Sequence, residues 1–208
     1  MTCILIHGLG QDASSWDNVK TLLGRDVETP DLFQLLKDKT CDYTNLLEAF
    51  STYLNQFEDP LELCGLSLGG LLALDYAKSH PDKVRSLILI GIPHRVPQFL
   101  FRLQGILFHL MPVKSFTEIG TDKNSFITLM KSMQNLDILA HTQAIQCETL
   151  LLCGEKDKSN RKSLLPLSKV IPNSTTLLVP DAGHTVNTDN PQKLADIILN
   201  HFHAYQKV

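Results

Sequence analysis

Short β-rich runs, each followed within a few residues by glycine or proline, recur along the chain at residues 3–6, 27–29, 61–64, 86–90, 150–153 and 176–179. Most are apolar at every position rather than at alternate ones. Strands covered on both faces of a parallel sheet read this way, whereas a strand with one wet face alternates. Between them lie segments with apolar residues three and four apart, the spacing that gathers side chains on one face of a helix. These segments span 43–57, 68–79, 162–170 and 191–205. Pro191 suits a first helical turn, where its missing N–H is no loss, and Asn190 before it is a good N-cap. Strands alternating with helices predict right-handed βαβ units. The expected fold class is therefore α/β, with an open, mainly parallel, doubly wound sheet.

One stretch breaks the alternation. From residue 92 to about 146 there is no strand-like run, only proline-flanked helical pieces at 97–111 and 123–134. This predicts a short helical cap inserted over the carboxyl ends of the strands, where open α/β sheets place their ligands. At 208 residues the chain is expected to form a single domain, 1–208, because one core ordinarily grows to roughly 250 residues before chains divide. No internal repeat or low-complexity tract interrupts it.

Composition narrows the partners more than the fold. Apolar residues make up 43% and charged residues 20%, ordinary globular proportions. The formal net charge is −3, and lysine and arginine are scattered without a run that could track a phosphate backbone, so nucleic acid is not an expected partner. Five cysteines, an odd number with no C-x-x-C pair, point to a reduced, cytoplasmic setting. Residues 1–8 lack the basic start and long apolar stretch of a signal peptide. The most apolar window, 99–111, is interrupted by Arg102, Gln104 and His109 and is shorter than the ~20 residues a membrane-spanning helix needs.

The sharpest chemical signal is Gly65-Leu66-Ser67-Leu68-Gly69-Gly70, directly after the run 61–64 and before the helical run 71–77. A serine exposed on a sharp strand-to-helix turn needs small residues two before and two after it, because strand and helix pass too closely for a Cβ. Gly65 and Gly69 meet that need. A serine hydroxyl is a poor nucleophile at neutral pH unless a histidine takes its proton and a carboxylate holds that histidine's tautomer. Asp157 follows the run 150–153 and His184 follows the run 176–179, so both are expected beside Ser67 at strand carboxyl ends. The catalytic candidates are thus Ser67, Asp157 and His184. The loop His7-Gly8-Leu9-Gly10 ends the first strand, and its Leu9 N–H, with the N–H of Leu68, is the candidate oxyanion hole. His7 is expected to fix that loop by hydrogen bonding rather than to act as a base.

His-Gly-x-Gly, Gly-x-Ser-x-Gly-Gly, Gly-Glu-x-Asp and Ala-Gly-His, in this order, resemble the α/β-hydrolase superfamily from residue 2 to about 205. The resemblance implies a serine hydrolase of carboxylesterase type, working through an acyl-enzyme on a small acyl substrate with no metal or organic cofactor. Members usually open with an antiparallel hairpin, whereas here the His-Gly strand starts at residue 2. A sheet of about six parallel strands is expected, with 27–29 as an exposed edge blunted by Pro30. A lyase or C–C hydrolase, a slow-turnover ligand sensor and an acyltransferase share the scaffold, and the first would need cap arginines facing the pocket.

The remaining polar residues carry less. Glu155 and Asp181 read as turn residues, Cys64 as a buried and inert thiol, and Trp16 as core. His201 and His203 are two apart on a helix and face different directions, so no metal site is expected there. His94, Arg95 and Arg102 read as a solvated face. The segment 97–111 is apolar on more of its circumference than one packed stripe requires, so Phe101 and Phe108 are expected to line a pocket for small or medium acyl groups. The alternative occupant of that surface is a partner chain or a second copy.

Overall fold

A computed structural model describes residues 1–36, 39–96, 114–117 and 121–204. Five strands, β1 (Thr2–Ile6), β2 (Leu61–Leu66), β3 (Val84–Ile90), β4 (Glu148–Gly154) and β5 (Ser174–Val179), form one open sheet. They lie in sequence order and every neighbouring pair is parallel. The helices are α1 (Asp17–Leu23), α2 (Leu32–Leu35), α3 (Tyr43–Leu54), α4 (Leu68–Ser79), α5 (Lys114–Thr117), α6 (Lys123–Ser132), α7 (Lys158–Arg161), α8 (Leu164–Ser168), α9 (Val186–Asp189) and α10 (Pro191–Ala204), with short 3₁₀ turns between some of them.

The all-apolar strands β1 to β4 have the cause inferred from them, since both faces of the sheet are covered there. Ile4, Ile6, Leu63, Leu87, Leu89 and Leu151 point to one face, into a core shared with α3 and α4. Their neighbours Cys3, Leu5, Cys64, Leu66, Ile88, Ile90 and Leu152 point to the other, against Trp16, Val19 and Leu23 of the α1 region and Leu194, Ile198 and Phe202 of α10. Alternating side chains of one strand thus feed two cores. Helix ends follow local chemistry. Asp42 accepts the Asn45 N–H (2.8 Å) at the start of α3, Asp122 accepts those of Asn124 and Ser125 before α6, and Asn190 accepts the Lys193 N–H (3.2 Å) before α10.

Three expectations need correction or extension. The sixth strand is absent among the described residues: the run 27–29 contributes only one bridge, Ile4 with Glu28, closed by Leu5 N–H to Glu28 O (2.8 Å) and Glu28 N–H to Cys3 O (2.9 Å). Pro30 has no N–H with which to extend that ladder. The exposed edge is instead β5, whose residues 175–178 are all open to solvent. Helix α1 escaped the periodicity reading, although Trp16, Val19 and Leu23 lie three and four apart and Gly24 ends the helix in the left-handed conformation (φ 59°). The helical piece 123–134 is found as α6 followed by a 3₁₀ turn, Met133–Asn135, whereas 97–111 lies outside the described residues.

Candidate active site

Ser67 is the single residue between β2 and α4, and its backbone has φ 53° and ψ −111°. Few residues other than glycine tolerate that region, so the turn is strained and persists because its surroundings hold it. The neighbouring glycines supply that hold. A Cβ on Gly65 would overlap the Gly69 carbonyl and lie 2.6 Å from Gly70 N; one on Gly69 would overlap Ile6 O and lie 2.6 Å from His7 O. The start of α4 is therefore wedged backbone-to-backbone between β2 and the end of β1. Ser67 N–H donates to Ile90 O at the end of β3 (2.8 Å), pinning the turn from the other side. As the first helical N–H of α4, that of Leu68 has no acceptor within the helix and carries the positive end of its dipole.

The loop after β1 is held by polar contacts. His7 is fully buried; its Nδ1 lies 3.0 Å from Gly8 O and its Nε2 accepts the Leu32 N–H at 3.1 Å. Burial lowers its pKa, and these partners define a neutral ring with the proton on Nδ1. The expected loop-fixing histidine is thus in place. Gly8 O also accepts the Gln11 N–H (3.2 Å), and Gln11 Oε1 accepts the Gly8 N–H (3.3 Å). In a trans peptide the N–H points opposite to the C=O, so clamping Gly8 O also aims the Leu9 N–H, away from His7 and Gln11. Among the described residues the Leu9 N–H has no hydrogen-bond acceptor. Gly8 packs against the serine turn: a Cβ there would sit 3.5 Å from Ser67 Cβ.

Asp157 and His184 meet. His184 Nδ1 donates to Asp157 Oδ2 at 2.7 Å, with the carboxylate side chain only 6% exposed and the imidazole 44% exposed. Asn160 adds its Nδ2–H to the same oxygen (2.8 Å) and its backbone N–H to Oδ1 (3.1 Å), because Asp157 is also the N-cap of α7. Burial pushes the Asp157 carboxyl up, but the bonds from His184 and Asn160 outweigh it and bring it down to about 2. With Nδ1–H committed to the carboxylate, the neutral ring keeps its lone pair on Nε2.

The two halves touch through Gly91 (φ 61°), the residue after the Ile90 that holds Ser67. A Cβ on Gly91 would lie 3.1 Å from His184 Nδ1 and Cε1 and 3.7 Å from Asp157 Oδ2. The end of β3 therefore supports the serine turn and abuts the histidine–aspartate pair within two residues. The His184 loop is fixed in turn by Gly183 N–H donating to Asp189 Oδ2 (2.7 Å) and by Gly154, where a methyl group would overlap the Gly183 carbonyl. Among the described residues no hydrogen bond reaches the Ser67 hydroxyl.

Other expected positions fall as follows. Cys64 is fully buried, which pushes its thiol well up and leaves it protonated. Trp16 is core. Glu155 and Asp181 are exposed, and Asp181 pairs with Lys156. Arg95 is exposed, whereas His94 is half-buried with Nδ1 3.0 Å from Ser163 Oγ. Phe101, Phe108 and Arg102 lie outside the described residues. Asn160, Gln11, Asp189 and Gly91 were not singled out from the sequence; only Asn160, three residues after an aspartate at a helix start, left a local signal. Among the described residues no group of His, Cys, Asp and Glu is arranged to hold a metal ion, and no helix is long and apolar enough to cross a membrane.

The chain is similar to proteins already known. A stretch of 91 residues is 41% identical to the pimeloyl-[acyl-carrier protein] methyl ester esterase of Aromatoleum aromaticum, spanning 42% of this chain and 36% of that one. The esterase of the same name from Wigglesworthia glossinidia brevipalpis is 25% identical over 94% of this chain and 91% of its own. A thermophilic esterase from Thermogutta terrifontis superposes with a TM-score of 0.80 over 98% of this chain and 90% of its own, at 19% identity, a likeness of fold. A family model described as "Alpha/beta hydrolase family" matches residues 3–197, and the chain belongs to that family.

Proposed function

We propose that the chain is a serine hydrolase that cleaves a small or medium ester through Ser67, His184 and Asp157, with the N–H groups of Leu9 and Leu68 as the oxyanion hole. The observation that carries this reading is the strained Ser67 turn, held by Ile90 next to the Gly91 that abuts the 2.7 Å His184–Asp157 pair. The names of the two curated relatives, both methyl ester esterases, support an ester as the bond cleaved.

The chemistry follows from the tautomer. His184 Nε2 takes the Ser67 hydroxyl proton as Oγ attacks the acyl carbon, and Asp157 stabilises the imidazolium that forms. The carbonyl oxygen becomes an oxyanion facing the Leu9 and Leu68 N–H groups. Collapse breaks the ester bond, and the leaving alkoxide departs with the proton from Nε2. Water then gives its proton to His184 and attacks the acyl-enzyme, and the second collapse passes that proton from Nε2 to the departing Ser67 Oγ and releases the acid.

The segment 92–146 is the proposed cap, with Phe101 and Phe108 lining the acyl pocket. Each buried methylene adds roughly 0.8 kcal/mol of binding, so kcat/KM rises with acyl length until the short cap sets a limit. Ser67→Ala tests the assignment. Hydrolysis of p-nitrophenyl esters and labelling by a serine-reactive phosphonate should both disappear while the circular dichroism spectrum is kept. Undiminished labelling of the variant overturns the proposal.

A further inference from the structure

Gln11 and Asn187 come from opposite ends of the chain and meet between the two loops that matter. Gln11 Nε2 donates to Asn187 Oδ1 (3.2 Å), and Asn187 Nδ2 donates to Gln11 Oε1 (3.4 Å) and to Ser15 O (3.0 Å). Asn187 is fully buried on α9, three residues after His184. A buried amide is costly unless its groups are matched, and these are matched only while the two loops keep this spacing. The same Gln11 Oε1 accepts the Gly8 N–H, and the Gln11 N–H helps to clamp the Gly8 carbonyl whose peptide carries the Leu9 N–H.

We infer that Gln11 and Asn187 are positioning residues that act as one unit, fixing the Leu9 N–H relative to His184 across the serine. This rests on the proposed Ser67–His184–Asp157 chemistry. Neither side chain touches substrate. Their part is to set the direction of an oxyanion donor on one loop from the loop that carries the base, so that both are in register when charge develops on the carbonyl oxygen.

The test uses Gln11→Ala, Asn187→Ala and the double variant, assayed on p-nitrophenyl butyrate. Either single change should lower kcat by between about 10-fold and 100-fold with KM changed less than about 2-fold, and the double variant should fall little further. Affinity for a trifluoromethyl ketone, which forms a tetrahedral oxyanion adduct on serine, should drop by the same factor as kcat, a shift that lost stability alone would not produce. If Asn187→Ala does not fold, Gln11→Ala at the loop surface decides the matter through the same two readouts. Wild-type kcat in Gln11→Ala, or losses that multiply in the double variant, overturns the inference. The outcome for Ser67→Ala keeps the two readings apart: if that variant stays active the proposed chemistry fails, whereas if it is dead and Gln11→Ala is not, only the positioning role fails.

Discussion

The serine turn and the histidine–aspartate pair sit side by side at the carboxyl ends of the strands, yet different forces hold them. Around Ser67 the hold is steric, with Gly65 and Gly69 letting main chain pass main chain at distances no side chain survives. Around His184 it is largely polar, with Asp157, Asn160 and Asp189 supplying acceptors and donors at 2.7–3.1 Å. The steric half fixes where the nucleophile stands. The polar half fixes which nitrogen carries a proton. A site built this way separates placement from protonation, and substitutions on the two sides should fail differently.

The largest expected effect strikes the polar half. Asp157→Asn keeps the shape but offers the wrong hydrogen bond to Nδ1, so kcat for p-nitrophenyl esters should fall by about 10⁴-fold while the circular dichroism spectrum is kept. Less than a tenfold loss would mean that another group orients the imidazole.

Gly69→Ala strikes the steric half, because its methyl group must displace the backbone of Ile6 and His7. Overpacking against main chain should cost about 3 kcal/mol or more of unfolding free energy, read by urea denaturation. Gly154→Ala should behave alike, since the Gly183 carbonyl occupies the space, and it marks a steric contact on the polar side. A neutral result for Gly69→Ala would dissolve the contrast between the halves.

Asn160→Ala should be milder, about tenfold in kcat, because it removes one charge-assisted bond of roughly 1.5 kcal/mol while the backbone N–H stays on Oδ1. No change in rate would confine Asn160 to capping α7.

The smallest effect is one of pH. The Asp157 carboxyl is held at about 2, below the ~3.9 of an unfolded chain, so its stabilising contribution is complete above pH ~4 and fades as pH falls toward 2. The stability gap between wild type and Asp157→Asn should therefore narrow from pH 5 to pH 2.5. A constant gap would place the value of that pair outside ionisation.

The same division explains what the sequence disclosed. Gly65, Ser67 and Gly69 lie within five residues, so a local pattern reports a local steric need. The apolar runs reported the two-faced sheet for the same reason: each strand carries its burial in its own residues. Asn187 and Gln11 are 176 positions apart, and nothing at either end marks the other. The supposed strand at 27–29 and the exposed edge at β5 were misjudged for a related cause. Apolar residues such as Leu177 and Leu178 read as core until the order of strands places them, 41% and 38% exposed, at a margin. Composition records which side chains can be buried, and topology decides which are.

His7 gives the molecule a built-in reporter. Its ring proton sits on a nitrogen sealed from solvent and bonded to Gly8 O, so it should exchange with water slowly enough to give a separate downfield line in a nitrogen-edited proton spectrum. Histidines whose ring N–H faces water lose such a line to fast exchange. The signal would follow the loop that carries Leu9 without any added label, shifting as an inhibitor fills the site and vanishing if the loop opens.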